Sequence, residues 1–391
     1  MYEGGDLDMH GIYVNPGSMG FERILRSEYV DKTGLISLVN RHISSTERLV
    51  YVSRPRRFGK SFAAQMLCAY YDASCDSHAL FDGKIISKAD DYKAHLNQYN
   101  VICFDVTSFI STAKRTRKPL KTVPEMIEDG IRRDILAIFP YLSAGSNLTG
   151  CLQKCAETEK RKFVFIIDEG DALLREAADE PEAAEGYFEM LRRWFGDNTF
   201  TSRAAAGAYM TGILSMKKNW IKAEIPAVSE YPITDPKEFA VYTGFTGTEV
   251  SELCRKYGMD FDQVKNWYGG YDIPGYGPIC NPYSVMRAIN NSSCRSFWPK
   301  TSAGLDSLFS RIDMDFKAIN EELVLLSEGK PVAVDIDDFG YNFRPAADNR
   351  DDILTLLIYL GYLTYRAEDR SVRVPNEEIM NEFRRINHKR L

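Results

Sequence analysis

The sequence has few of the residues from which metal centres and disulfide scaffolds are built. Only 5 histidines and 8 cysteines occur in 391 residues, and they are dispersed along the chain. Cys151 and Cys155 lie close together, but no second Cys or His pair accompanies them. A structural zinc site, which normally takes four ligands, is therefore not indicated. Scattered cysteines without disulfide density fit a reducing compartment.

An excess of positive charge and long apolar runs are missing as well. The chain has 49 Lys and Arg against 55 Asp and Glu, a formal charge of -6, so nucleic-acid binding would need a local basic patch. The apolar runs "FVFII" and "LTLLIYLGYL" are too short to span a bilayer. The N-terminal stretch lacks the basic start and apolar core of a signal peptide. We therefore expect a cytoplasmic protein that does not act on a membrane.

What the sequence does contain is an alternation of strand and helix patterns from about residue 21. Short apolar or β-branched runs predict strands, and apolar residues at helical spacing predict helices between them. The predicted strands are 48–53, 100–109, the run that opens 162–174, and 205–214; the predicted helices include 60–71 and 125–142. The alternation predicts an α/β fold with a parallel sheet and helices on both faces.

The stretch "RPRRFGKS", Arg54 to Ser61, indicates a phosphate-binding loop between the first predicted strand and the first long helix. Gly59, Lys60 and Ser61 end the pattern G-x-x-x-x-G-K-[ST]. In that pattern backbone N–H groups wrap the phosphates, the lysine bridges their oxygens and the hydroxyl ligates Mg²⁺. Arg54 stands where the first glycine belongs, which leaves open a working site, a degenerate one or a coincidence.

An acid pair, Asp168 and Glu169, follows the "FVFII" run. A carboxylate at the carboxyl end of a parallel strand can hold the shell of a Mg²⁺ ion, and an adjacent glutamate can orient and deprotonate a water. Alone, the pair also fits a solvated acidic turn, which is the less favoured alternative. Together with the loop, it predicts a site of nucleotide hydrolysis.

The unusual residues of the loop have opposite expected effects. Pro55 fixes its own φ and removes an N–H group, so the phosphate cradle has fewer donors than a glycine-rich one. Arg56 and Arg57 either compensate through charge-assisted contacts to phosphate or point into solvent. The sequence leaves both alternatives open.

Five motifs together resemble the AAA-ATPase-like family, in which an ATPase domain usually precedes a predicted nuclease-like domain of the PD-(D/E)XK type. They are "YVDKTGLI" (29–36), "RPRRFGKS" (54–61), "IIDEGDAL" (166–173), "TGIL" (211–214) and "WYGGY…CNPYSVM" (267–286). The resemblance runs from about residue 20 to the end. Because the R-P-R-R-F-G-K-S loop is characteristic of the family, Arg54 is expected to be a family trait.

The resemblance implies roles for individual residues. Lys60 would neutralise the β- and γ-phosphates, Glu169 would activate water, Thr211 would sense the γ-phosphate, and Ser61 and Asp168 would hold Mg²⁺. The implied nucleotide-binding residues are Arg56, Arg57, Phe58, Gly59, Lys60, Ser61 and Phe62, with Tyr29 and Lys32 where related ATPases contact the base. The "YVDKT" segment fits a helix cap through Asp31 or Thr33 equally well.

Two features depart from the family pattern. Gly170 stands where an aromatic residue is common, and we expect looser packing near Asp171. The sequence ends at Leu391, where longer relatives continue into the nuclease-like domain. Its last segment has no E-x-K after a matching strand acid, so we expect no nuclease chemistry from these residues.

The sequence therefore predicts three segments and one main function. The segments are a poorly ordered lead-in over 1–20, a P-loop ATPase domain over 21–235, and a helical lid with a winged-helix-like end over 236–391. The expected function is Mg²⁺-dependent ATP hydrolysis that drives a conformational switch. The alternative is a nucleotide-gated binding or DNA-associated regulatory module with negligible turnover. Arg192, Arg193 and Arg203 are candidates for an arginine finger, which would make a second copy or a partner protein part of the site. Charge on the surface of a helix is the favoured interpretation of each.

Overall fold

The computed structural model describes residues 11–143, 145–177, 180–196, 198–273, 275–298, 319–337, 339 and 349–390. Backbone contacts divide the chain into two units. Unit 1 is Met1–Val52, Lys60–Gly212 and Met216–Glu230; unit 2 is Ser53–Gly59, Ile213–Ser215 and Tyr231–Leu391. The boundary after residue 235 stays a prediction. Each unit has its own sheets and apolar interior.

Unit 1 is built on a five-stranded parallel sheet in the order β2-β3-β4-β1-β5. The strands are β1 (Leu49–Ser53), β2 (Asn100–Asp105), β3 (Phe163–Asp168), β4 (Ala205–Gly212) and β5 (Val228–Tyr231), of which Ser53 and Tyr231 are assigned to unit 2. Every residue of β1, β3 and β4 is buried, as in a sheet covered on both faces. The predicted α/β fold is confirmed.

The helices of unit 1 lie between and around these strands. They are Met19–Leu25, Gly34–Asn40, Lys60–Tyr71, His78–Phe81, Tyr92–His95, Val106–Arg115, Val123–Ile138, Leu148–Glu159, Ala172–Glu176, Pro181–Phe195, Asn198–Arg203 and Lys217–Lys222, with 3₁₀ turns at Ile85–Lys88 and Leu120–Thr122. The predicted strand over 100–109 was too long. The carboxylate of Asp105 accepts hydrogen bonds from Thr107 N (2.7 Å) and Thr107 Oγ1 (2.7 Å), so it caps a helix that begins at Val106.

The expectation of a poorly ordered lead-in over 1–20 was wrong for residues 11–20. Val14 forms a β-bridge to Ile102, and Asn15 N donates to Val101 O (2.8 Å), so this segment lies along β2 at the edge of the sheet. Gly17 N donates to Asp72 Oδ2 (2.7 Å). Val14 is buried because it packs on that edge. The first ten residues lie outside the described part of the chain.

Unit 2 is mainly helical and contains two small antiparallel sheets. One sheet has the order β6-β8-β7, from Phe245–Thr246, Gly277–Cys280 and Tyr271–Ile273; the other has the order β10-β11-β9, from Thr364–Arg366, Ser371–Arg373 and Val332–Ala333. The helices are Lys237–Tyr242 (3₁₀), Gly247–Tyr257, Phe261–Tyr268, Pro282–Asn291, Asn320–Ser327, Arg350–Leu360 and Glu377–Arg390. The predicted ending of helix, hairpin and helix is confirmed by Arg350–Leu360, β10–β11 and Glu377–Arg390. Within the described ranges, no helix is both long and apolar enough to cross a membrane.

A buried carboxylate, Glu378, ties parts of unit 2 together. It accepts hydrogen bonds from Phe297 N (2.7 Å), Trp298 N (3.1 Å) and Ser284 Oγ (2.8 Å). The pKa of Glu378 is raised to about 7. Burial is the largest cause; the three hydrogen bonds lower the pKa, and the charge of the nearby Glu382 raises it. The protonated form is therefore favoured in the folded chain below neutral pH.

We expect Glu378 to make the folded chain less stable as the pH rises from 4.5 to above 7. The folded pKa of about 7 lies above the ordinary value of 4.5, so the folded chain alone keeps this proton between these values. The contribution to stability is complete below pH 4.5, is lost as the pH rises through 7, and amounts to roughly 3 kcal/mol. Denaturant unfolding at a series of pH values measures it.

The substitution Glu378→Gln should remove this pH dependence, because glutamine is neutral at every pH and can still accept from the Phe297 N–H. The adjacent, partly exposed Glu377→Gln is the matched control and should unfold with the pH dependence of the wild type. If Glu378→Gln kept the wild-type pH dependence, Glu378 would not be the group responsible.

Candidate functional site

The loop before the Lys60–Tyr71 helix has two residues in the left-handed region, Arg57 (φ 73°) and Gly59 (φ 88°). Glycine adopts such a conformation without steric cost, which explains Gly59. Neither Arg54 nor Pro55 has a positive φ. The backbone at the position of the missing glycine therefore does not require glycine.

The side chain of Arg54 is buried in unit 2, with 1% of its surface exposed. Its Nη1 donates to the carbonyl oxygens of Ser53 (2.7 Å) and Tyr231 (2.7 Å), which end β1 and β5. Carbonyl groups at strand ends need donors when they are buried, and a guanidinium group supplies several. Arg54 therefore has a structural role at this position.

The side chains of Arg56, Arg57 and Phe58, later in the loop, differ in what they contact. Arg56 is exposed. The guanidinium of Arg57 lies 4.2 Å from the ring centroid of Tyr283. Phe58 is buried and packs edge-on against Tyr271, with centroids 5.0 Å apart. Of these three side chains, only that of Arg56 points into solvent. Phe62, in the first turn of the helix, is 55% exposed.

Ser61, Asp168 and Thr211 meet at the carboxyl ends of β3 and β4. Ser61 Oγ donates to Asp168 Oδ2 (2.5 Å), and Asp168 Oδ1 accepts from Thr211 Oγ1 and from Glu169 N (3.1 Å). Asp168 is mostly buried, so these donors replace water around a charged group. Hydroxyl and carboxylate oxygens are ligands that Mg²⁺ prefers, so these residues fit the predicted metal role.

Glu169 lies beside them with an unusual backbone and two cationic neighbours. Its φ is 51°, and its N–H also points to Thr211 Oγ1 (3.2 Å). Its Oε1 lies 3.3 Å from Lys60 Nζ, and its Oε2 accepts from Arg175 Nη2 (2.6 Å). A glutamate with positive φ is uncommon, and such strained residues cluster at functional sites.

Sequence reasoning missed two charged residues of this site, Arg175 and Asp105. Arg175 Nε lies 3.0 Å from Asp171 Oδ2, and Asp171 is fully buried. Asp105 pairs in register with Asp168 on the neighbouring strand. Burial raises the pKa of Asp105, the hydrogen bonds from Thr107 lower it, and the charges of Asp168 and Glu169 raise it. The available signals were the i, i+4 spacing of Asp171 and Arg175 and the aspartate within the strand pattern predicted over 100–109.

Two glycines allow close approach around this site. A Cβ atom on Gly170 would lie 2.5 Å from Met210 Sδ, and one on Gly212 would collide with the Tyr51 hydroxyl and lie 2.8 Å from Asp171 Oδ1. The expected loosening near Asp171 is therefore not found. Gly170 is tightly packed against Met210, which occupies the space that a larger side chain at position 170 would need.

The structure does not gather Tyr29 and Lys32 with these residues. Tyr29 Oη lies 3.5 Å from Met66 Sδ, further along the Lys60–Tyr71 helix, and accepts from Lys32 N (3.3 Å). Asp31 accepts from Thr33 N (2.9 Å) and Thr33 Oγ1 (2.7 Å), whereas Thr33 makes no side-chain cap bond. Burial raises the pKa of Tyr29. A contact of this segment with the base stays a prediction.

We expect Arg54→Gly, which restores the usual first glycine, to destabilise unit 2 by about 3 kcal/mol, since two charge-assisted hydrogen bonds are lost and a cavity is left. The matched control is Arg56→Gly, which makes the same change at an exposed neighbour and should cost under about 1 kcal/mol. Denaturant unfolding of both variants tests this. Equal stability of the two would contradict the structural role of Arg54.

Comparison with known proteins gives one sequence relative of note. An uncharacterised protein encoded in the 5′ region of vnfD in Azotobacter chroococcum mcd 1 is 22% identical over 278 residues, which cover 70% of this chain and 50% of that protein. The chain thus spans about half the length of the curated relative that it matches.

Three solved structures cover most of the chain with low similarity. A Walker-type ATPase of Pyrococcus abyssi is 10% identical, with 90% of this chain and 94% of that chain covered and a TM-score of 0.45. The Aeropyrum pernix ORC2 protein is 13% identical, with 96% and 97% covered and a TM-score of 0.33. The Aeropyrum pernix ORC1 protein in complex with DNA is 12% identical, with 98% and 100% covered and a TM-score of 0.37. Scores this low add nothing to the fold described above.

The family match is more informative because it covers more than half of the chain and contains the whole site. Residues 16–222 match the AAA-ATPase-like family, described as "Predicted AAA-ATPase". The matched range holds the loop at 54–61, the acid pair Asp168 and Glu169, and Thr211. The chain belongs to the AAA-ATPase-like family of P-loop proteins.

Proposed function

We propose that this chain binds ATP in the cytoplasm, hydrolyses it with Mg²⁺, and works as a conformational switch. The observation that carries the proposal is the meeting of Lys60, Ser61, Asp168, Glu169 and Thr211 at one edge of the sheet of unit 1, through the contacts given above. These residues come from three separate stretches of sequence. Their chemistry is that of phosphate binding, metal binding and water activation.

Phosphate binding rests on the start of the Lys60–Tyr71 helix. Free N–H groups at a helix N-terminus and the helix dipole favour an anion. Lys60 lies at this terminus, and its Nζ is 3.3 Å from Glu169 Oε1. When ATP binds, Lys60 would exchange this carboxylate for the β- and γ-phosphates. Arg56, whose side chain is exposed, is the loop arginine best placed to add a charge-assisted contact.

Metal binding rests on Ser61 and Asp168, whose oxygens are 2.5 Å apart. Bound Mg²⁺ would neutralise charge on the phosphate oxygens of ATP. In the part of the chain that the structure describes, no group of three or more His, Cys, Asp or Glu side chains is arranged to hold a metal. Mg²⁺ commonly takes one or two carboxylates plus substrate phosphates, so Ser61 and Asp168 would hold the ion together with bound nucleotide.

Water activation rests on Glu169. Its carboxylate would accept the proton of the attacking water, which makes it the general base. Thr211 would hold both neighbours in place, because its hydroxyl group donates to Asp168 Oδ1 and accepts from Glu169 N at 3.2 Å. The same hydroxyl would respond to the γ-phosphate.

The second candidate is a nucleotide-gated binding module with negligible turnover. It is favoured by the two cations that contact Glu169, because they occupy the oxygens of the proposed base. A DNA-associated version of this module needs binding that weakens steeply with salt, and the net charge of -6 does not support it.

Replacing the proposed base and the loop lysine should separate hydrolysis from binding. We expect Mg²⁺-dependent ATP turnover to fall about a hundredfold or more in Glu169→Gln, with ATP still bound. In Lys60→Ala we expect ATP binding itself to weaken. Glu176→Gln, the same change on the nearby Ala172–Glu176 helix, is the matched control and should keep wild-type turnover. Binding without turnover above Glu169→Gln would favour the binding module instead.

The two loop arginines offer a further test. We expect Arg56→Gln to weaken ATP affinity about tenfold through loss of a charge-assisted contact to phosphate. Arg57→Gln should change it less, because this guanidinium lies against Tyr283. Calorimetric titration with a non-hydrolysable ATP analogue measures both. The reverse order of effects would assign the phosphate contact to Arg57.

A further inference from the structure

Glu169 contacts two cations, and only one of them has another task in the proposed function. Lys60 belongs to the phosphate loop and would turn to the nucleotide. Arg175 is anchored instead, because its Nε lies 3.0 Å from Asp171 Oδ2 and that carboxylate is fully buried. The contact between Arg175 Nη2 and Glu169 Oε2, at 2.6 Å, can therefore outlast the arrival of ATP.

The backbone of Glu169 is fixed on the opposite side. Its N–H points to Asp168 Oδ1 (3.1 Å) and Thr211 Oγ1 (3.2 Å). The next residue is fixed as well, since Gly170 N donates to Thr211 O (2.6 Å). Because the main chain is held in this way, rotation about side-chain bonds remains the way to move the carboxylate. Arg175 opposes that rotation.

We infer that Arg175 is a positioning residue that holds Glu169 in a resting orientation, so that ATP hydrolysis waits until this ion pair opens. The inference rests on the proposed function and adds a restraint to it. The charge-assisted hydrogen bond keeps this carboxylate turned toward Arg175, away from the position in which it would accept a proton from an attacking water. The rate of hydrolysis would then be set by the opening of the pair.

The same contacts determine which variants are useful. Loss of the positive charge at position 175 would leave buried Asp171 without this ion pair, which destabilises a folded chain. Arg175→Lys keeps the charge for Asp171 but cannot contact two carboxylates with a planar fork. Arg175→Gln removes the restraint completely. Lys114→Gln is the matched control, because it breaks a 2.5 Å ion pair to Glu176, the residue after Arg175, without touching Glu169.

The experiment measures kcat at saturating Mg²⁺ and ATP, KM for ATP, and binding of a non-hydrolysable ATP analogue. We expect kcat to rise about threefold in Arg175→Lys and further in Arg175→Gln, with analogue affinity within about twofold of the wild type. A purely structural role would lower kcat or analogue affinity, and would not raise kcat while KM and analogue affinity stay near the wild-type values.

Glu169→Gln combined with Arg175→Gln should show no gain in turnover, since the restraint acts through Glu169. A folded Arg175→Lys variant with unchanged or reduced kcat would overturn the inference while leaving ATP hydrolysis by the wild type intact. Turnover that appears only when Arg175 is replaced would support it. If neither the wild type nor any Arg175 variant exceeded Glu169→Gln, the hydrolytic function itself would fail, and the restraint with it.

Discussion

The site of unit 1 depends on the hydrogen bonding of one nearly buried carboxylate, that of Asp168. Donors reach it from three elements: Ser61 from the Lys60–Tyr71 helix, Thr211 from β4, and the Glu169 N–H from the end of β3 itself. A charge this buried is tolerated only when it is well solvated by the protein. The requirement fixes the relative positions of the helix start and the two strand ends, and the remaining features of the site follow from it.

Much of the fold could be predicted because its signals are local. The helix over 60–71 was predicted with the bounds observed, and β1 and β4 were placed within two residues, since strand and helix periodicity can be seen in short windows. The end of β2 was misplaced because the residues after Asp105, which form a helix capped by that aspartate, were taken for a continuation of the strand. The order of the strands and the packing of residues 11–20 on β2 depend on contacts distant in sequence, which periodicity does not contain.

The candidate site shows the same division between local and distant information. Motif spacing identified Ser61 and Asp168, and the family resemblance identified Thr211; the structure brings these three into contact. Motif spacing also identified Lys60 and Glu169, which form an ion pair. It did not identify Arg175 or Asp105, because the roles of these two residues depend on which carboxylates lie near them in the folded chain. It also could not decide what Arg54 does, since the Tyr231 carbonyl that it binds lies far along the chain. The oxygens that Arg54 satisfies show why the loop keeps an arginine where a glycine is usual.

The segment that covers β2 has a consequence for the behaviour of shortened forms of the protein. The hydrogen bond from Asn15 N to Val101 O and the bridge from Val14 to Ile102 occupy backbone groups at the outer side of an apolar strand. A chain cut at residue 21, where the alternation of strands and helices begins, would expose those groups beside Val101 and Ile102. Unpaired strands of this kind join across molecules. Such a fragment would be prone to self-association even with the residues of the candidate site intact.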